Sequence, residues 1–289
     1  MPGQAFDLPT SWGCLSGTLE LPEGVGPWPG VLLIAGSGPT DRDGNNALVP
    51  AAIDNLKGLA QDLALRGVAS LRYDKRGVGR STYPGLSESA LRFEDLVADA
   101  VLLAQRFGAD EHIARLSLVG HSEGALVAAL AATQANAQGV VSISGAGNRA
   151  STLMRTQIEA LLPPDLAQAA LSALTALEAQ QLVADVPDAL VLLFRPSVQP
   201  YLMSWFRHDP PQVLAELALP VLLVHGSADT QVAVEHAHWL QQGRPDAKLR
   251  IVDGMDHLLS LGGDVPAGTR LVAEEVAAWL QELDVGVAA

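Results

Sequence analysis

Three residue types in one order could carry acyl-transfer chemistry in this chain: a serine, then an aspartate, then a histidine. The serine is Ser122, inside Gly120-His121-Ser122-Glu123-Gly124. G-x-S-x-G between a strand and a helix is the pattern of a sharp turn that lifts a nucleophilic hydroxyl above a sheet. A serine hydroxyl is a weak nucleophile at neutral pH. It needs a base within hydrogen-bond reach, and that base needs an acid to orient it. Both partners are expected downstream, acid first. Asp229 closes the run Val221 to Asp229, a buried strand opening into a small-residue loop. Asp253 and Asp256 compete for the role. They share a loop with the candidate histidine, where the backbone would have to fold back sharply, and turn formation is their plainer use. The reading favours Asp229. The base is His257, which follows the last strand-like run and precedes the final helix. His121 sits inside the elbow, His225 ends a strand, His236 and His238 lie on a helix, and His112 and His208 lie in loops.

A tetrahedral intermediate also needs two backbone N–H donors. One is expected from Glu123, the residue after the nucleophile. The other is expected from Gly36-Ser37-Gly38, where glycines let amides approach a substrate. Ser37 is the preferred donor, with Gly36 as the near alternative. Glu123 itself sets a question: an acidic side chain beside the nucleophile could brace a loop or a lid, or could select against anionic substrates.

These residues need a scaffold. Leu15 to Leu21, Val31 to Ile34, Val68 to Tyr73, Ile113 to Val119, Gly139 to Ile143, Val221 to Val224 and Lys248 to Val252 read as strands. Helical spacing runs from about Ala47 to Arg66, Phe93 to Phe107, Ala125 to Ala135, Val234 to Gln242 and Leu271 to Leu283. Strands alternating with helices imply a mostly parallel central sheet with helices on both faces. From about Gly145 to Leu217 the alternation stops and helices with Pro interruptions take over, as in Leu166 to Leu182. The expected organisation is therefore a core in two parts, 1–144 and 218–289, around a helical lid at 145–217. No internal repeat is visible, and no low-complexity tail beyond the last few residues.

Composition narrows the rest. The chain has 289 residues, 48% of them hydrophobic, enough for a sizeable core. The formal net charge of −14 argues against nucleic acid and anionic membrane surfaces as partners. No run is long and apolar enough to span a bilayer. The opening residues Met1 to Asp7 lack both a basic region and an apolar core, so a signal peptide is not expected. Cys14 is the only cysteine, which fits a reducing, cytoplasmic setting. No motif calls for a metal or a cofactor.

As a set, these motifs resemble the α/β-hydrolase superfamily, in particular bacterial carboxylesterases and serine-aminopeptidase-like hydrolases with a helical lid. The carrying residues are Gly36 to Gly44, Tyr73 to Ser81, Gly120 to Gly124, His225 to Asp229, and Asp256-His257. The resemblance spans about Leu15 to Leu283. It implies an α/β-hydrolase fold, with Ser122 as nucleophile, Asp229 as acid and His257 as base. Many relatives carry His-Gly where this chain has Ala35-Gly36, so the exact oxyanion donor stays open between Ser37 and Gly36. In such proteins Asp41, Arg42 and Asp43 resemble a loop-bracing ion cluster; three solvated charges are the alternative.

The lid segment holds Phe194, Tyr201, Met203, Trp205 and Phe206 in a chain with only 4% aromatics. Met203, Trp205 and Phe206, with Gly36, are expected at the substrate, as a lining for an apolar acyl group. Packing of lid on core is an equal use for them. The expected activity is hydrolysis of small carboxylic esters through an acyl-enzyme. An aminopeptidase or amidase, an acyl-thioesterase, and a non-catalytic binding protein on the same fold are the alternatives.

Overall fold

A computed structural model describes residues 3–49 and 51–287. Met1 and Pro2 of the opening segment, Pro50, and Ala288 and Ala289 of the tail lie outside the described residues. The first part of the chain forms β1 (Gln4–Thr10), β2 (Gly13–Glu20), β3 (Trp28–Ile34), α1 (Asn55–Ala64), β4 (Ala69–Tyr73), α2 (Phe93–Gly108), β5 (Ile113–His121), α3 (Glu123–Ala131) and β6 (Val140–Ile143). Five helices follow: α4 (Ala150–Leu161), α5 (Pro164–Glu178), α6 (Val191–Phe194), α7 (Gln199–Trp205) and α8 (Pro210–Ala215). The alternation then resumes with β7 (Val221–Gly226), α9 (Glu235–Gly243), β8 (Lys248–Val252) and α10 (Val265–Val287).

The eight strands form one sheet in the order β1-β2-β4-β3-β5-β6-β7-β8. β1 and β2 pair antiparallel, as do β2 and β4; all later pairs are parallel. Strand side chains alternate between two hydrophobic layers, as the period of two requires. Leu32 and Ile34 of β3 and Leu118 of β5 face the layer covered by α2 and α3. Val31, Leu33 and Val119 face the layer covered by α1 and α10. Because both faces are covered, the inner parallel strands β3, β6 and β7 are nearly continuous apolar runs, whereas edge strand β8 carries Lys248 and Arg250 and is partly exposed.

β1 has no counterpart among the expected strands. Only Phe6 and Leu8 of its seven residues pack on the core, and the rest of this edge strand is polar or exposed. The first helix is shorter than its expected span from Ala47. Asn45 captures the amides that a longer helix would use: its Oδ1 accepts from Ile53 N and Asp54 N, and its Nδ2 donates to Asp54. Such side-chain bonds to backbone compete with helix formation.

The helical segment between β6 and β7 divides in two. Residues of α4 to α7 share their own apolar cluster, with Ile158, Leu174, Phe194 and Phe206 at its centre. Leu214 of α8 instead joins the main core beside α3. Among the described residues no helix is long and apolar enough to cross a membrane.

Candidate functional site

The topology brings the candidate residues to one end of the sheet. β3 and β5 are adjacent and parallel, with Ile34 opposite Gly120. Their C-terminal ends release the Ala35–Gly38 loop and Ser122 side by side, where connections leave in opposite directions across the sheet. Ligands favour such switch points in open α/β sheets. β7 and β8 pair in the same way and deliver Asp229 and His257 from neighbouring loops.

Ser122 sits at the turn between β5 and α3 with φ 55 and ψ −119. A non-glycine residue there is strained, at a cost of order 1–3 kcal/mol. The flanking glycines explain why the turn closes. A Cβ on Gly120 would lie 2.0 Å from the Gly124 carbonyl, and one on Gly124 would lie 2.3 Å from the Ile34 carbonyl. Only hydrogen fits at either place. Gly226 meets the Met255 carbonyl equally closely, and this lets the two loops bearing Asp229 and His257 come together.

The three side chains form a continuous hydrogen-bonded chain. His257 Nε2 lies 3.1 Å from Ser122 Oγ, and His257 Nδ1 lies 2.7 Å from Asp229 Oδ2. The second Asp229 oxygen accepts from the amides of Gln231, at 2.9 Å, and Val232, at 2.8 Å. Burial pushes the Asp229 carboxyl up, but the bond from His257, that ring's charge and the Val232 amide together hold it below the ordinary carboxylate value. It is thus an anion at neutral pH. Asp253 and Asp256 serve turns: Asp253 accepts from Ser227 Oγ, and Asp256 from the amides of Leu258 and Ser260.

His121 packs beneath this chain. Its ring is buried, and its Nε2 donates to the His257 carbonyl at 2.8 Å. Burial, and then the charge of His257, push its pKa down to about 3, so the ring is neutral. His225 lies 3.5 Å from Asp229 but donates to the Val232 carbonyl.

Ser122, His257, Glu123 and Ser37 border a cavity of about 430 Å³ between the sheet end and the helical insertion. Its walls are mainly apolar, from α3 (Ala125, Leu126, Ala129) and the insertion (Leu153, Met154, Leu202, Trp205). Gly36 is not part of this lining; its carbonyl turns back to accept from Lys75 Nζ. Ser37, the other candidate, does face the cavity.

The expected lid contacts divide. Trp205 lines the cavity, whereas Met203 and Phe206 do not. Those two pack into the insertion's own core instead. Helical spacing is the reason. Val198, Tyr201, Leu202 and Trp205 recur at helical intervals and face the cavity, which turns Met203 and Phe206 to the other side. That stripe was the available signal for Tyr201 and Leu202.

Asp41, Arg42 and Asp43 are braces. Arg42 pairs with Asp74 at 2.6 Å, Asp43 with Arg72 at 2.8 Å, and Asp41 caps the turn through the amides of Asp43 and Asn45. They hold the loop that follows Ser37.

A family model described as "Serine aminopeptidase, S33" matches residues 52–262. The chain belongs to this family. The chain is also similar to Esterase EstD of Thermotoga maritima, 30% identical over 252 residues. That match covers 86% of this chain and 58% of the relative, so the chain spans less than two thirds of EstD's length. Among solved structures, Est1E of Butyrivibrio proteoclasticus with bound ferulic acid superposes with a TM-score of 0.69 at 18% identity, covering 97% of this chain and all of that one. The α/β hydrolase GrgF of Penicillium sp. sh18 superposes with a TM-score of 0.65 at 18% identity over the full length of both. At such identities the likeness is one of fold, and the fold is the α/β-hydrolase fold.

Glu123 is the only carboxylate among the described residues of the lining. Its side chain is buried, paired with Lys75 Nζ at 3.3 Å, and accepts from the Tyr201 hydroxyl at 2.8 Å. The residue therefore braces rather than presenting an unpaired charge.

Proposed function

We propose that this protein is a carboxylic ester hydrolase working through an acyl-enzyme on Ser122. The observation that carries the reading is the Ser122–His257–Asp229 hydrogen-bonded chain at the edge of an apolar cavity. In the first step Ser122 Oγ attacks the ester carbonyl while His257 Nε2 takes its proton. Asp229 accepts from Nδ1, fixes the tautomer that leaves Nε2 free, and stabilises the imidazolium that forms. The amides of Ser37 and Glu123 receive the oxyanion; among the described residues neither has an intramolecular acceptor. His257 then returns its proton to the departing alkoxide. Water deacylates the enzyme by the same route in reverse. The similarity to Esterase EstD supports the ester reading.

The apolar rim supports an acyl group of hydrocarbon character. Leu48, Leu192 and Leu193 border the cavity while remaining exposed. An aminopeptidase, the reading the family description suggests, would need an anion for the substrate's ammonium group. Glu123, whose charge is already paired with Lys75, weighs against it. A thioester would meet the same machinery and is a test arm.

The test compares p-nitrophenyl butyrate, a butyryl thioester and leucine β-naphthylamide with wild type and Ser122→Ala. The expected result is highest kcat/KM on the oxygen ester and loss of turnover in the variant. Preferred cleavage of the naphthylamide would replace the ester reading with the aminopeptidase one. Equal ester turnover by the two proteins would remove Ser122 from the mechanism, and turnover by neither above the uncatalysed rate would make the fold a non-catalytic carrier.

A further inference from the structure

Lys75 and Glu123 form a buried ion pair that neither the nucleophile chain nor the packing of the sheet requires. Each residue is 5% exposed. Taking both charges out of water is costly, and apolar residues of similar volume often serve a core as well. What the pair touches shows its use. Lys75 lies in the loop after β4, and its Nζ donates to the Gly36 carbonyl and to Glu123 Oε1. Glu123 opens α3, directly after Ser122. Its Oε2 accepts from the hydroxyl of Tyr201, on insertion helix α7. Burial, and then the Glu123 charge, push the Tyr201 hydroxyl well above its ordinary pKa, so it remains a donor. Four segments of chain thus meet at two charges.

The Gly36–Ser37 peptide is where this matters. In a trans peptide the C=O and the following N–H point in opposite directions across one plane. Holding the Gly36 oxygen toward Lys75 therefore turns the Ser37 N–H away from Lys75, on the side where Ser37 borders the cavity. The next peptide is held as well, because the Ser37 carbonyl accepts from Thr40 Oγ1 at 2.7 Å. The other amide proposed for the oxyanion belongs to Glu123, the residue whose side chain closes the ion pair.

We propose that Lys75 is a positioning residue for the oxyanion site, and that the Glu123–Tyr201 bond makes its position depend on the seating of helix α7. This rests on the serine-hydrolase reading above. Lys75 touches no reacting atom; it acts by fixing the peptide plane that aims the Ser37 amide. Its effect must then fall on the tetrahedral state rather than on ground-state binding. Other contacts of the same stretch keep α7 in register: Ser204 Oγ accepts from Phe93 N at 2.8 Å, and Trp205 stacks on Phe93 with ring centres 5.7 Å apart. Removing the Tyr201 hydroxyl alone should loosen the coupling without unseating the helix.

The experiment measures p-nitrophenyl butyrate kinetics for wild type, Lys75→Met, Tyr201→Phe and Ser122→Ala. It also measures inhibition by an alkyl trifluoromethyl ketone, which forms a tetrahedral adduct, and by the matching methyl ketone, which serves as a ground-state mimic. Losing a whole oxyanion donor costs about 10²–10³ in kcat, and a misaimed donor should cost less. For Lys75→Met we expect kcat to fall about 30-fold, KM to stay within about twofold, and the trifluoromethyl ketone to weaken in step with kcat. The methyl ketone should bind as before. Tyr201→Phe should give the same pattern at about threefold. A folded Lys75→Met with kcat within about twofold of wild type overturns the proposal, as does a loss carried by KM. If Lys75→Met does not fold, Tyr201→Phe decides: wild-type kcat and trifluoromethyl ketone affinity overturn it. Full turnover by Ser122→Ala would instead overturn the hydrolase reading beneath it.

Discussion

Replacing His121 with Asn should make the protein less sensitive to acid. The His121 ring is buried and donates to the His257 carbonyl, and burial holds its folded pKa at about 3. In the unfolded chain the same ring titrates at about 6.5. Between these values the unfolded chain binds a proton that the folded chain does not. Falling pH therefore favours unfolding, and the stability at stake is complete above about pH 6.5 and lost progressively as pH drops toward about 3. For one such ring the loss between pH 7 and pH 4 is about 3 kcal/mol. Asn cannot titrate, yet its amide still offers a donor to the His257 carbonyl. His236, whose pKa burial pushes down to about 4, shifts stability in the same direction but is present in both proteins. The difference between wild type and variant therefore isolates His121. Urea unfolding followed by tryptophan fluorescence at pH 7, 6, 5 and 4 supplies the numbers. Wild type should lose about 3 kcal/mol more than His121→Asn across that range. Parallel pH profiles for the two would refute the reasoning, since they would mean that the buried ring does not resist protonation.

Asp229→Asn should lower kcat for p-nitrophenyl butyrate by about 10⁴, because an amide in place of the carboxylate no longer fixes the His257 tautomer; retention of a tenth of wild-type activity would contradict that role. Gly124→Val should abolish folded, soluble protein, since even a Cβ there meets the Ile34 carbonyl at 2.3 Å. Gly67→Asn is the matched control: that glycine has a positive φ, but a Cβ on it would meet nothing within 4 Å. Circular dichroism and thermal melting should show this variant within about 1 kcal/mol of wild type. Leu126→Trp, on the cavity wall, should narrow the acyl range and lower the hexanoate-to-acetate ratio of kcat/KM by about tenfold or more. An unchanged ratio would place the acyl group elsewhere.

Much of this site could be read from residue order. The nucleophile turn needs glycines whose absence of side chain is visible in the sequence, and the buried parallel strands are apolar runs that alternate with helices. Ser122, Asp229 and His257 follow from that frame, because parallel strands deliver their C-terminal loops to one edge. What escaped was set by contacts between distant segments. Strand β1 escaped because, as an edge strand, it buries only Phe6 and Leu8. The start of α1 depended on which amides Asn45 would capture. Met203 and Phe206 are as bulky as the residues of the cavity wall but turn away from it, because the helical stripe of Val198, Tyr201, Leu202 and Trp205 decides which side chains face the cavity. The role of Glu123 required a partner 48 residues away in sequence and a hydroxyl 78 residues away. No local pattern encodes such a meeting.

Covalent capture of the nucleophile would show whether Ser122 is the residue that becomes acylated. The protein would be treated with an alkyl fluorophosphonate, digested with trypsin and sequenced by mass spectrometry. One adduct per chain is expected, on Ser122 in the Leu116–Arg149 peptide, forming in step with loss of ester turnover and blocked by His257→Ala. Complete inactivation with the adduct on any other residue, or an unlabelled Ser122 in an active protein, would contradict it.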